Sequence, residues 1–259
     1  MKIHLHQFLS KTGLFKSKKE ITNAIKNSEV KVGNKVINNP IYQFNTRKER
    51  VFWKNTPLKM LKKYVYILLN KPVGYISSKL TPNDIKLGKK SIFRIIENEN
   101  KIDNNLKRAL FCIGRLDEDA SGLLIITNDG QLSSEITDPK NRIAKTYEVL
   151  LEKPLQKNDI AKIEQGIIIN LEENGKITKY KTRKCRIELI NDRKLNITIS
   201  EGKKREIRRI FSAVGNNVLS LKRISIGRLN LNELNLSPGE YIFSEKGFIE
   251  EKITAAKPD

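Results

Sequence analysis

GRLDEDASGLLIITNDG, residues 114–130, sets the consecutive acidic residues Asp117, Glu118 and Asp119 between two apolar runs. FCIGRL, residues 111–116, leads into the acidic turn, and GLLIITN, residues 122–128, leads out of it. Both runs are strand-sized and rich in strand-forming residues. The spacing therefore predicts two strands joined by an acidic loop. Reactive groups tend to sit on such loops, because a rigid sheet holds them in place.

The same pattern continues outward. YVYILLN, residues 64–70, reads as a further buried strand, and KTYEVLLE, residues 145–152, alternates apolar with polar residues. Lys184–Ile190 and Leu195–Ser200 read as a hairpin turning at Asn191-Asp192. Asp159–Gln165 suggests a short helix, and Glu206–Val214 a second one stopped at Gly215. Strands outnumber helices and do not alternate regularly with them. The expected class is α+β, with a mostly antiparallel sheet and flanking helices, rather than a doubly wound parallel sheet.

The first residues form a different unit. Leu5, Phe8 and Leu9 fall at helical spacing ahead of Gly13. Ser17 can cap a second helix with Glu20 as its capping-box partner, and Ile21, Ala24 and Ile25 form its apolar stripe. Val30, Val32 and Val36 alternate around Gly33-Asn34, a hairpin signal. Charge and a proline then obscure any period. The expected organisation is a small basic helix–hairpin module over residues 1–48, a linker over 49–62 with a short strand at Val51–Trp53, a sheet domain over 63–250, and a frayed tail over 251–259.

Charge narrows the partner. Lys and Arg total 50 against 29 Asp and Glu, a formal net charge of +21. Coding bias toward Lys would spread this excess evenly, yet residues 1–62 hold 14 basic and 3 acidic residues, about half of it. A concentrated positive field attracts polyanions, nucleic acid first. The cysteines, Cys112 and Cys185, are too few and too far apart for a disulfide framework or a zinc cluster. No apolar run approaches the roughly 18–20 residues of a membrane span, and the first residues lack a secretory pattern. A cytoplasmic setting without membrane attachment is expected.

The spacing of Asp117, Glu118 and Asp119 alone leaves several readings open. The loop can be a solvated acidic turn, a site for a hard divalent cation, or the seat of a reactive carboxylate that Arg115 keeps ionised.

Longer motifs add to this. The 114–130 segment resembles the signature of the ribosomal RNA pseudouridine synthases related to small-subunit synthase A and large-subunit synthases B, E and F. Their pattern is G-R-L-D, two variable residues, Thr or Ser, then x-G-L-L and T-N-D-G. Gly114, Arg115, Leu116, Asp117, Gly122, Leu123, Leu124, Thr127, Asn128, Asp129 and Gly130 match it, and Ala120 departs from it. Asn70–Gly74 resembles the family's opening Asn-Lys-Pro-x-Gly, and Lys145–Tyr147 its Lys-x-Tyr. EGKKREIRRIFSAVGNNVLSLKRISIG, residues 201–227, is similar to its closing element, with Glu206 in place of the usual Gln. Residues 3–44 resemble, more loosely, the RNA-binding domain named after the fourth small-subunit ribosomal protein.

The resemblance implies isomerisation of one uridine in ribosomal RNA to pseudouridine, with large-subunit RNA the favoured target. It implies Asp117 as the catalytic carboxylate, Tyr147 against the target base and Arg208 in a salt bridge with Asp117. Lys16, Lys18, Lys19, Lys71, Arg115, Lys145, Lys203, Lys204, Arg205 and Arg209 are the candidate RNA contacts. The reaction gains and loses no atom, so no cofactor and no metal is expected. The expected partner is ribosomal RNA or a pre-ribosomal particle, bound by a monomer. Whether Asp117 attacks the ribose or assists a glycal route stays open. So does a non-catalytic ribosome-assembly factor on the same fold, with a metal-dependent nuclease acting through Asp117 and Asp119 a distant third.

Overall fold

The computed structural model describes residues 2–15, 17–173 and 175–254. It is mixed α and β, with mostly antiparallel pairing. The described chain falls into two compact units. One holds the residues up to Val65 together with Glu97–Phe111 and Thr127–Asp129, and the other holds the remainder.

In the first unit, helix Leu5–Ser10 buries Leu5, Phe8 and Leu9, as their spacing predicts. Ser17 caps helix Lys18–Lys26 by accepting a hydrogen bond from the Glu20 N–H at 3.1 Å. The hairpin at Gly33-Asn34 joins strands Val30–Val32 and Lys35–Val36.

The linker expectation is corrected here. Strands Val51–Trp53 and Thr56–Leu58 add to Val30–Val32 to make a four-stranded sheet. Val51 is 1% exposed and shares one core with Leu5, Ile25 and Val30. Burying Val51 and Leu58 stabilises the unit by about 1.5–3 kcal/mol each. Three-residue strands separated by charged turns carry too little period to be read. Helix Asn104–Ala109 also belongs to this unit rather than to the sheet domain.

The second unit is built on one large sheet. Its strand order is Arg186–Leu189, Lys194–Ile199, Lys145–Leu151, Val218–Ile226, Ser121–Thr127, Tyr66–Lys71, Tyr241–Phe243. Phe111–Ile113 pairs with Ser121–Thr127, and Leu229–Asn230 pairs with Val218–Ile226. Lys145–Leu151 runs antiparallel to both its neighbours. Ser121–Thr127 runs parallel to Val218–Ile226, with Gly122 opposite Arg223.

Two apolar clusters cover the sheet. Helix Glu206–Ser212 contributes Ile207, Ile210 and Phe211 to the cluster that holds Tyr147, Val149 and Leu116. Helices Gly130–Thr137 and Lys246–Thr254 contribute Leu132, Ile136, Ile249 and Ile253 to the other. This corrects the tail expectation: the chain stays helical through Thr254, because Ile249 and Ile253, four apart, both face the core. Residues 255–259 of that tail lie outside the described residues.

A separate hairpin, Ile168–Glu173 with Lys176–Lys181, was not foreseen from the sequence. Among the described residues, no helix is long and apolar enough to cross a membrane.

Candidate active site

The acidic loop enters and leaves through strands Phe111–Ile113 and Ser121–Thr127. Ala120 N–H donates to Asp117 O at 3.1 Å and closes a tight turn. Three outside groups brace it. Ser77 Oγ donates to Leu116 O at 2.8 Å and accepts from Leu116 N–H at 3.1 Å. Gly74 N–H donates to Glu118 O at 2.8 Å from a backbone with φ of 85°, which is why glycine suits that turn. Lys71 Nζ donates to Ala120 O at 2.6 Å and Pro72 O at 3.0 Å, and lies 3.5 Å from Glu118 O. These bonds hold the turn in which Ala120 stands where the family pattern has Thr or Ser.

The result is an open cleft of about 610 Å³ whose lining includes Arg115, Asp117, Glu118, Asp119, Lys204 and Arg205, with Gly74, Ser77, Asp84 and Lys89 on the facing segments. Asp117 is half-buried. Among the described residues its carboxylate has no hydrogen-bond or ion-pair partner. It faces the cleft with Arg115, Lys204 and Arg205 on the same walls.

The expected Arg208–Asp117 salt bridge is not present. Arg208 Nη2 sits 2.9 Å from Asp119 Oδ2 and 3.3 Å from Asp119 O, while Nη1 donates to Val218 O at 2.7 Å. Arg205 Nη2 reaches the same Asp119 oxygen at 3.5 Å. The turn at 117–120 aims Asp117 into the cleft and gives Asp119 to the helix that carries Arg208. Arg208 therefore ties down the loop that presents Asp117 and leaves the carboxylate itself free.

Tyr147 lies in strand Lys145–Leu151, opposite Ile197 and Arg223, and is 7% exposed. It belongs to the same buried cluster as Leu116 and Ala120, which bracket the acidic turn. It does not line the cleft wall.

The candidate RNA contacts divide by exposure. Lys18, Lys19, Arg115, Lys203, Lys204 and Arg205 are exposed. Lys203 Nζ lies 4.9 Å above the Tyr180 ring, a cation–π contact. Arg209 is half-buried and donates to Lys204 O at 2.8 Å, so it shapes the basic loop. Lys16 lies outside the described residues.

Lys71 is corrected: it is fully buried, and its ammonium is spent on loop carbonyls rather than offered to phosphate. Burial pulls it down to about 8, against the upward pull of Asp119, Asp117 and Glu118. Lys145 is half-buried, donates to Ile143 O at 3.0 Å, and is likewise pulled down to about 8 by burial and then by Arg223.

Sequence reasoning missed Arg223 and Ser77. Arg223 is 2% exposed, and its Nε donates to Leu123 O at 2.8 Å, which locks the parallel strand pair behind the acidic loop. It stood in the closing motif, but a basic residue in an alternating run reads as a solvated position. No local pattern marks Ser77. Among the described residues no group of three or more His, Cys, Asp or Glu side chains is arranged to hold a metal ion.

Comparison with known proteins gives this geometry its class. A family described as RNA pseudouridylate synthase matches residues 65–213. The chain is 33% identical over 240 residues to the ribosomal small subunit pseudouridine synthase A of Haemophilus influenzae, an alignment covering 92% of this chain and 94% of that one. It is 34% identical to the enzyme of the same name from Salmonella typhimurium, over 84% of this chain and 86% of that one. A crystal structure of a pseudouridylate synthase superposes with a TM-score of 0.65 at 32% identity, covering 97% of this chain and all of that one. The chain belongs to the RNA pseudouridine synthase family and is an RNA-modifying isomerase.

Proposed function

We propose that this enzyme isomerises a uridine of ribosomal RNA, and that Asp117 is its catalytic carboxylate. One observation carries the reading: an unpaired carboxylate, half-buried on a braced turn, faces an open cleft whose other walls carry Arg115, Lys204 and Arg205. The chemistry breaks the bond from ribose to the base nitrogen and remakes it to a ring carbon, so it needs an ionised group at the sugar. An Asp tied up in a salt bridge would be less available for that role than Asp117 is. The flanking cations suit the phosphates of a strand whose target base has left its stack. Tyr147 backs the turn from the buried side and orders the strand beneath the cleft.

The target we favour is small-subunit ribosomal RNA. The names of the relatives from Haemophilus influenzae and Salmonella typhimurium support it over the large-subunit target first expected. Pseudouridine mapping of ribosomal RNA from cells with and without this protein tests the proposal. One small-subunit pseudouridine should be lost without it. Loss confined to large-subunit RNA would overturn the subunit, and no loss in either would overturn the substrate.

The first unit supplies RNA affinity in this reading. Lys18 and Lys19 are exposed in the first turn of helix Lys18–Lys26, where glutamates are well tolerated. The double variant Lys18→Glu, Lys19→Glu should stay folded. The slope of log affinity against log salt should become shallower by about two, roughly one for each phosphate that is no longer neutralised. An unchanged slope in a filter-binding titration would mean that this charge does not meet RNA.

A further inference from the structure

The loop that supplies Lys204 and Arg205 to the cleft is closed by two buried glutamates. Glu206, where the family resemblance puts glutamine, opens helix Glu206–Ser212 and is 3% exposed. Its Oε2 accepts from Lys203 N–H at 2.7 Å, and its backbone N–H donates back to Lys203 O at 3.1 Å. Its Oε1 is buried and receives no hydrogen bond. Glu201 is 7% exposed, and its carboxylate accepts from the Tyr180 hydroxyl and from Arg183 N–H at 2.7 Å. The two carboxyl groups lie close enough to share a proton.

Two buried carboxyl groups this close repel if both are ionised, and an oxygen as buried and unpartnered as Glu206 Oε1 is costly as an anion, so one proton stays on the pair. Glu201 already holds two donors, so it is the better anion, and the proton belongs on Glu206. A proton there turns the unpartnered Oε1 into a donor and removes a buried unsatisfied atom.

We infer that Glu206 is a positioning residue held as the neutral acid: it donates to Glu201, accepts from Lys203, and so fixes the basic loop 202–205 at the cleft. Its importance for catalysis rests on the function proposed above; its protonation does not.

The surroundings agree. Burial first, and then the hydrogen bond with Glu201, push the Glu206 carboxyl up to about 8. Burial also raises Glu201, but the bonds from Glu206, Tyr180 and the Arg183 N–H hold it below its ordinary value. The other charged or titratable groups facing the pair are Lys203 from the loop, Tyr180 and Arg183 from the neighbouring hairpin, Cys185 beyond it, and Lys145 from the sheet.

The sign of the pH dependence follows. Between the ordinary carboxyl value and about 8 the folded protein holds a proton that the unfolded chain has lost, so stability falls as pH rises through that interval and levels off above it. Lys71 and Lys145, pulled down to about 8, act in a different interval and with the opposite sign. They are deprotonated first in the folded state, so they raise stability between about 8 and the ordinary lysine range.

The test is the melting temperature of the full chain from pH 5 to pH 9, for wild type, Glu206→Gln and Glu206→Ala, with RNA affinity measured on the same samples. The wild-type melting temperature should fall by several degrees between pH 5 and pH 8. Glu206→Gln, which supplies a permanent donor and acceptor, should remove that slope and bind RNA at pH 8 at least as tightly as wild type. Glu206→Ala should melt lower at every pH. A wild-type melting temperature that is level or rising from pH 5 to pH 8 would overturn the assignment. So would a Glu206→Gln variant whose curve runs parallel to wild type, or one that fails to fold. The melting curves do not involve pseudouridine formation, so their outcome is separate from that of the proposed function.

Discussion

Replacing Gly122 with alanine is expected to cost the enzyme its fold. Gly122 has φ of 107° and lies opposite Arg223 in the parallel strand pair. A Cβ there would stand 2.2 Å from Arg223 O and 2.6 Å from Arg223 N. Both atoms are backbone, so no side chain can rotate away. The strands would have to part where Arg223, a residue 2% exposed, holds Leu123 O through Nε at 2.8 Å. Backbone strain adds about 1–3 kcal/mol to the displaced packing, and the total exceeds what most single changes do. Thermal unfolding should show a fall of more than about 10 °C, or the variant should accumulate as insoluble protein. A melting temperature within about 2 °C of wild type would contradict the close approach of these strands.

Asp117→Asn carries the largest expected effect on activity. The amide keeps the shape of the carboxylate but removes its charge and its nucleophilicity. Since no hydrogen bond or ion pair among the described residues holds the Asp117 carboxylate, the substitution breaks no bonded contact and removes only one of three acidic charges near Lys71. Stability and RNA affinity should stay near wild type, because phosphate contacts dominate binding. Pseudouridine formation should fall by at least about a thousandfold.

Asp119→Asn is the informative neighbour. It removes the 2.9 Å pair with Arg208, but Asp119 is 48% exposed, and such pairs contribute about 0–1 kcal/mol. Its rate should fall by less than about tenfold. Arg208→Ala removes both that pair and the 2.7 Å bond to Val218 O, so it should fall between the two. Equal losses for Asp117→Asn and Asp119→Asn in a single-turnover assay would mean that the loop, rather than one carboxylate, had been measured.

Much of the site was legible because its chemistry is local in the chain. Asp117, Arg115 and the flanking strands are contiguous, and the run from Gly122 to Ile126 is continuously apolar and buried. What stayed hidden involves partners distant in sequence. Arg208 could be matched to an acidic loop, but the choice between Asp117 and Asp119 depends on how a four-residue turn aims two side chains. Lys71 reads as a cation for phosphate, and only its burial against Ala120 O turns it inward. Arg223 and Ser225 occupy buried positions of strand Val218–Ile226, and polar residues there carry no sequence signal of burial. In the first unit, the strands at Val51 and Thr56 are too short for periodicity to rise above their charge.

In the proposed reaction this chain, unaided, converts a uridine to pseudouridine with Asp117 as the catalytic carboxylate. The direct measurement incubates the purified wild type and Asp117→Asn with small-subunit ribosomal RNA transcript in the presence of a chelator and quantifies pseudouridine over time. Wild type should form one pseudouridine per RNA at a single position, and Asp117→Asn should bind the same RNA and form none. Tight binding by wild type with no pseudouridine, or formation by Asp117→Asn at the wild-type rate, would contradict the account.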